Sequence, residues 1–251
     1  MHYALDVGNS RIKFALYEQG MVRHFPTISS ALRSCTNKEN AHWGIGSVCP
    51  AKTEKIVAQI RRKRPNDAIT VLCQKDIPLK ISVDHPEKVG IDRLLAAYAA
   101  VRWKQESCKE SLKPMLICDL GTAITIDLVS PDDLFLGGAI LPGLHLAAKS
   151  LRRGTAMLPK IDAFGTSQFP GKNTVDAIRT GIFEGIVGTI QRFYDLTVQK
   201  FPDCEPLLLL TGGNAEPVYH TIQRELPAFF LPQLVLDGIY AVIFSQNSDF
   251  N

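Results

Sequence analysis

The feature that most limits what this chain can fold into is a strand–turn–strand unit written twice. Tyr3–Val7 is an apolar run ending at Gly8-Asn9, Ile12–Tyr17 alternates as a second strand, and Met21–Phe25 follows the turn at Gln19-Gly20. Later, Met115–Cys118 ends at Asp119-Leu120-Gly121-Thr122, Ala123–Val129 follows, and Ser130-Pro131-Asp132-Asp133 turns into Leu134–Ile140. The two Asp-x-Gly starts, at Asp6 and Asp119, are offset by 113 residues in a chain of 251. Three strands in the same order around the same turn predict two halves of common design. If those halves pack about a pseudo-twofold axis, their turns face one another across a cleft.

The stretches between these units alternate helix and strand signals. Ser29–Ser34, Lys52–Arg64 and Asp92–Glu106 read as helices, with strands at His42–Val48 and Ala68–Cys73. The second half adds helices at Leu144–Arg153, Thr174–Gln199 and Pro217–Glu225, and a buried strand at Leu207–Leu210. Such alternation predicts an α/β protein with mixed β-sheets flanked by helices. The charged stretch Lys109–Pro114 is the expected boundary, giving domains at 1–114 and 115–251.

Composition excludes several classes. With 45% apolar and 21% charged residues the chain is neither disordered nor low-complexity, and 251 residues suffice for one large core or two smaller ones. The net charge of +3 names no partner, although residues 1–114 carry +8 and residues 115–251 carry −5. The one dense basic run, Arg61-Arg62-Lys63-Arg64, suits the end of a helix better than a nucleic-acid patch, so no nucleic-acid partner is expected. Six cysteines show no C-x-x-C spacing and no zinc pattern, which predicts buried free thiols in a reducing compartment. The N-terminus has no signal-peptide pattern and no apolar run approaches a bilayer span, so no membrane association and a cytoplasmic location are expected.

Two turns carry the candidate chemistry. In Asp6-Val7-Gly8-Asn9-Ser10-Arg11-Ile12-Lys13, small residues let backbone N–H groups converge on an oxyanion, and Lys13 can return to the loop as a point charge. Asp6 at the strand end could hold Mg²⁺ through water. An ordinary Gly-Asn hairpin turn explains the same residues equally well. The second turn, Asp119–Thr125, repeats the pattern without the lysine, and the pair is harder to ascribe to chance. Thr211-Gly212-Gly213 follows a buried strand and opens a helix, which suits either a ligand approaching the backbone or a plain glycine turn. Walker A, G-x-G-x-x-G and G-x-S-x-G patterns are all absent.

Seven motifs then occur in a recognisable order: Asp6-x-Gly8-Asn9-Ser10-x-x-Lys13, Gly90-Ile91-Asp92-Arg93, Asp119-x-Gly121-Thr122-Ala123-x-Thr125, Gly137-Gly138-Ala139-Ile140-x-Pro142-Gly143, Thr155-Ala156-x-Leu158-Pro159, Thr174-x-x-Ala177-Ile178-x-x-Gly181 and Thr211-Gly212-Gly213. From about residue 4 to Gly238 the chain resembles the type III pantothenate kinases (also known as Bvg accessory factors), of the acetate and sugar kinase/Hsp70/actin superfold.

That resemblance implies two related actin-like, ribonuclease H-like domains and ATP-dependent phosphorylation of pantothenate, the first step of coenzyme A synthesis. By position, it makes Asp6, Val7, Gly8, Asn9, Ser10, Arg11, Ile12 and Lys13, with Thr122, the ATP contacts. Asp119 would bind a monovalent cation, K⁺ or NH₄⁺, and Mg²⁺ would accompany the nucleotide. Gly90, Ile91, Asp92 and Arg93 would bind pantothenate, with Asp92 as catalytic base and Thr174 as a further substrate contact, while Gly212 and Gly213 match the adenosine motif. The family is homodimeric, its pantothenate pocket completed across the interface. Read from the residues alone, Asp92 is a helix N-terminal acid facing the dipole, and Arg93 could hold a substrate oxyanion or the loop. The chain departs from the family at Val83, where Tyr is usual, at His85, where Asn is common, and at Ser10, where Thr is usual. The rival readings are a same-superfold kinase for another small alcohol and a non-enzymatic transcription-accessory protein.

Overall fold

The computed structural model describes residues 1–18, 21–35, 40–107, 112–162 and 168–244. Eleven strands and seven α-helices are placed among them. They run β1 (His2–Val7), β2 (Ile12–Glu18), β3 (Met21–Phe25), α1 (Ile28–Ser34), β4 (His42–Ser47), α2 (Pro50–Lys63), β5 (Ala68–Val71), β6 (Lys80–Ile81) and α3 (Ile91–Ser107). The remainder are β7 (Met115–Leu120), β8 (Ala123–Val129), β9 (Leu134–Pro142), α4 (Leu144–Gly154), α5 (Thr174–Lys200), β10 (Leu207–Thr211), α6 (Ala215–Ile222), β11 (Ala228–Phe230) and α7 (Leu234–Phe244).

The chain divides into two compact units, Met1–Lys109 with Gln233–Asn251, and Glu110–Pro232. In the first, the sheet order is β3-β2-β1-β4-β5, with β1–β2 and β2–β3 antiparallel and β1–β4 and β4–β5 parallel. In the second, β9-β8-β7-β10-β11 repeats the scheme, with β7–β8 and β8–β9 antiparallel and β10 parallel to both β7 and β11. Both units thus share one strand order, as the duplicated sequence unit predicts, and it is the ribonuclease H-like order of the actin-like fold that the family resemblance implies. Of the expected Lys109–Pro114 boundary, residues 109–111 lie outside the described residues.

Alternation along each strand decides which face is covered. In β4, Trp43 and Ile45 pack with Tyr3, Leu5 and Val7 against α1 and α2, through Leu32, Ile56 and Ile60. Gly44 and Gly46 point the other way, where Ile239 of α7 and, at Gly46, Leu95 of α3 fill the space a side chain would need. In the second unit, Leu116, Cys118 and Leu120 of β7 join Ile186 and Ile190 of α5 and Val218 of α6 in the core. Asp6 and Asp119 therefore project from the sheet face opposite these clusters, at equivalent strand ends.

α7 belongs with the first unit, whereas a simple division at 115 assigns it to the second. The reason is physical. α7 is apolar on every side, and Gly238 lets it lie directly on the backbone of Leu95 in α3, a contact no larger residue permits. Tyr17 of β2 donates a 2.7 Å hydrogen bond to Asp237, and stacks on Tyr240 at 4.3 Å.

Two expectations are refined. Arg61, Arg62 and Lys63 form the last turn of α2, and Arg64 caps it while its Nε donates to the buried Asp67 at 3.0 Å. Asp67 also accepts from Trp43 Nε1 at 2.8 Å and Ala41 N at 3.1 Å. Cys35, Cys49, Cys73, Cys118 and Cys204 are free thiols, of which only Cys118 is fully buried, and Cys108 lies outside the described residues. Among the described residues, no helix is long and apolar enough to cross a membrane.

Candidate active-site loops

In the first unit the β1–β2 hairpin sets the register that places Asp6 opposite Lys13 and Val7 opposite Ile12, leaving Gly8–Arg11 as the loop. Gly8 N donates to Arg11 O at 3.1 Å and closes the turn, and a side chain at Gly8 would crowd that same oxygen. Asn9, Ser10 and Arg11 are exposed, Val7 is buried and Ile12 half-buried. Lys13 Nζ lies 3.8 Å from Asp6 Oδ2, so the cation stands beside the strand-end carboxylate. On its other flank Asp6 faces Gly46 of β4, which offers no side chain to cover it. The hairpin thus gathers a carboxylate, an ammonium and a glycine-bearing loop at one strand end, a layout suited to a metal–phosphate complex.

Lys52 is an addition that motif reading missed. From the first turn of α2 it donates to Gly8 O at 3.2 Å and to Asn9 O at 2.5 Å. The same edge is tied by Val48 N to Val7 O at 3.2 Å, and by Thr53 Oγ1 to Ser47 Oγ at 2.6 Å. One sequence sign was available: a lysine in a helical first turn that holds no acidic residue runs against the macrodipole.

Also in the first unit, Gly90–Arg93 is the entry to α3. Gly90 O accepts from Arg93 N at 3.1 Å, and Asp92 Oδ1 accepts from the same N–H at 2.9 Å. A methyl at Gly90 would meet Asp92 Oδ1 at 2.5 Å, so glycine is what allows the carboxylate this position. Ile91 is buried and anchors the turn, while Asp92 and Arg93 remain partly exposed. A carboxylate on a rigid helix start, with an anchored neighbour, is a suitable hydrogen-bond acceptor for an incoming hydroxyl.

In the second unit, Asp119 faces Thr125 across the β7–β8 ladder, where Asp6 faces Lys13. The loop between Leu120 and Ile124 is one residue shorter than its counterpart between Val7 and Ile12. Gly121 N donates to Ala123 O at 3.1 Å. Thr122 is exposed at the tip, and its carbonyl accepts from Gly143 N at 3.0 Å.

The Thr211–Gly213 turn lies directly on this loop. Gly212 has φ +97°, and a side chain there would run into Asp119 Oδ1 and the backbone of Leu120. Asn214 fastens the contact, with its backbone N donating to Leu120 O at 3.1 Å and its Nδ2 to Gly121 O at 3.3 Å. Asp119, Thr122, Gly143, Gly212 and Asn214 are thereby brought into one assembly, of which Gly143 and the Asn214 amide went unflagged as site residues. Thr174 is exposed at the first position of α5, behind the N-cap Asn173, whose side chain accepts from Asp176 N at 2.9 Å.

A family model for type III pantothenate kinase matches residues 3–196. Type III pantothenate kinases of Persephonella marina and Alkalilimnicola ehrlichii are similar along the chain. The first is 33% identical over 198 residues, covering 79% of this chain and 74% of its own. The second is 32% identical over 251 residues and covers 94% of each chain. The chain belongs to the type III pantothenate kinase family. Membership makes it a kinase. A Baf family transcriptional activator of known structure from Campylobacter jejuni shares the fold, with a TM-score of 0.61 over 97% of this chain and 98% of its own. Its sequence is 21% identical, so the likeness speaks for fold alone and lends the transcription-accessory reading no weight.

Proposed function

We propose that this chain transfers the γ-phosphoryl group of ATP to the primary hydroxyl of pantothenate, giving 4′-phosphopantothenate, the first step of coenzyme A biosynthesis. Membership of the type III pantothenate kinase family, on a model covering residues 3–196, carries the reading. The Asp6–Lys13 hairpin and the Thr122 tip are the proposed phosphate contacts, and the turn at Gly212 and Gly213 the proposed adenosine contact. Asp6 in the first unit and Asp119 in the second are each half-buried carboxylates at a strand end, and a donor of that kind suits Mg²⁺, which takes few carboxylates and completes its shell with phosphates and water. When bound, that ion neutralises phosphate charge. Asp119 would also serve the monovalent cation, K⁺ or NH₄⁺.

Gly90–Arg93 holds pantothenate in this reading, with Thr174 as a further contact. Asp92 accepts the hydroxyl proton as the oxygen attacks the γ-phosphorus, and most of the acceleration comes from alignment and fixed charge. A cytoplasmic homodimer completes the proposal.

The test is ADP release with ATP, Mg²⁺, K⁺ and pantothenate. Wild-type protein should turn over only when pantothenate is present. Asp92→Asn should lower kcat by about 10²–10⁴-fold while leaving affinity for a non-hydrolysable ATP analogue unchanged. Unchanged turnover in that variant removes Asp92 from the mechanism, and no pantothenate-dependent ADP release removes the reaction.

A further inference from the structure

The amine of Lys52 reaches the loop after β1 from 44 residues along the chain and bonds two successive carbonyls, Gly8 O at 3.2 Å and Asn9 O at 2.5 Å. Its base is fixed. Pro50 starts α2, Cys49 N donates to Ser47 Oγ at 3.0 Å, and Thr53 Oγ1 holds the same Ser47, so the helix start is tied to the end of β4. A cation in this first turn opposes the helix dipole, and no acidic residue there compensates. A local rule broken at one position, beside a loop with its own chemistry, marks a residue kept for something other than helix stability.

Peptide geometry says what the contact accomplishes. In a planar trans peptide the C=O and the following N–H point in opposite directions. With the carbonyls of Gly8 and Asn9 both turned to Lys52, the N–H groups of Asn9 and Ser10 are turned to the side away from α2. Two successive N–H groups turned to one side are the elements of an anion-binding nest. Of the other two loop N–H groups, that of Gly8 donates to Arg11 O. Left without Lys52, the two exposed peptides could rotate freely, and the nest would have to be organised at the moment of binding.

We propose that Lys52 is a positioning residue for ATP: it clamps the Gly8 and Asn9 carbonyls so that the loop meets the nucleotide phosphates with its N–H groups already aligned. The proposal rests on the reading of Asp6–Lys13 as the phosphate loop, and its test separates the two. Binding of Mg²⁺ with a non-hydrolysable ATP analogue is measured calorimetrically for the wild type, Lys52→Met, Lys52→Arg and Lys13→Ala, alongside steady-state kinetics for both substrates. Lys52→Met should weaken analogue binding about tenfold, as expected for losing a charge-assisted pair, and raise the KM for ATP by a similar factor. The KM for pantothenate should not move, and Lys52→Arg, which keeps the donors, should restore most of the affinity. Unchanged analogue binding in Lys52→Met overturns the proposal, as does an equal rise in both KM values. If Lys13→Ala weakens binding while Lys52→Met does not, the loop reading stands and the clamp falls. If neither variant weakens it, the loop is not the phosphate site and both readings fall.

Discussion

Replacing Gly212 by alanine should unfasten the second loop, and the structure sets the size of the effect. Gly212 has φ +97°, in the region where an L-residue pays roughly 1–2 kcal/mol. The added methyl would run into Asp119 Oδ1 and stand 2.7 and 2.8 Å from the backbone N and C of Leu120. Leu120 cannot retreat cheaply, because it pairs with Ile124 in the ladder and its carbonyl accepts from Asn214 N at 3.1 Å. Overpacking of this kind costs about 1–3 kcal/mol. The two contributions together reach roughly 2–5 kcal/mol, or a fall in Tm of roughly 4–20 °C for a chain of this size. A displacement of Asp119 by about 1 Å should also lower kcat/KM by on the order of 10²-fold. Thermal melting and the coupled ADP assay read the two effects. Gly188→Ala is the control, since a methyl there meets no atom within 4 Å and helix propensity favours alanine by roughly 0.5–1 kcal/mol. If Gly212→Ala melts with the wild type and keeps its kcat/KM, the close approach of the two turns does not hold the loop, and the reasoning fails.

Asp67→Ala strips the acceptor from Trp43 Nε1, Ala41 N and Arg64 Nε inside the first unit, and should cost about 3–5 kcal/mol in urea unfolding. Burial alone would raise the Asp67 carboxyl, but hydrogen bonds from Arg64, Trp43 and Ala41 outweigh it and hold the group below its ordinary value of 3.8. Its contribution is therefore full above about pH 3.8 and lost as pH falls through the folded value, so the gap between wild type and variant should close in acid. Asp237 has the opposite sign. Burial raises it, only partly offset by the Tyr17 hydroxyl and His24, so its contribution is full below about pH 3.8 and lost as pH rises through the folded value. Asp237→Asn, which still accepts from Tyr17, should gain stability relative to wild type as pH rises toward neutral; a gap independent of pH would contradict this.

Much of the fold was legible because its signals are local. The β4 sequence His42-Trp43-Gly44-Ile45-Gly46-Ser47 alternates bulk and glycine, and the structure puts helices α1 and α2 on one side of it and α7 on the other. α7 itself escaped detection. Nine of its eleven residues are apolar, so it presents no polar face and hence no 3.6-residue period, and only its burial on α3 and β1 reveals it as a helix. β11, three residues long, is too short to carry a period at all. The candidate residues divide in the same way. The Asp-x-Gly turns and the Gly90–Arg93 entry are contiguous and could be read directly. Lys52 acts on carbonyls 43 and 44 residues away, and Asn214 on one 93 residues away, separations that no spacing rule covers.

The sequence alone determined the two-fold repetition, the strand-end carboxylates and the loops beside them, since turn chemistry and side-chain alternation act over a few residues. The 113-residue offset held for Asp6 and Asp119, but the ladder showed what the offset concealed: the second loop is one residue shorter, so Thr125 occupies the place of Lys13. Only the tertiary structure could decide that, and with it the return of α7 to the first unit, the seat of Gly212 on the Asp119 loop and the grip of Lys52 on Gly8 and Asn9. Each depends on hydrogen bonds or packing between segments far apart in the chain, whose energies belong to the folded arrangement and leave no period in the sequence.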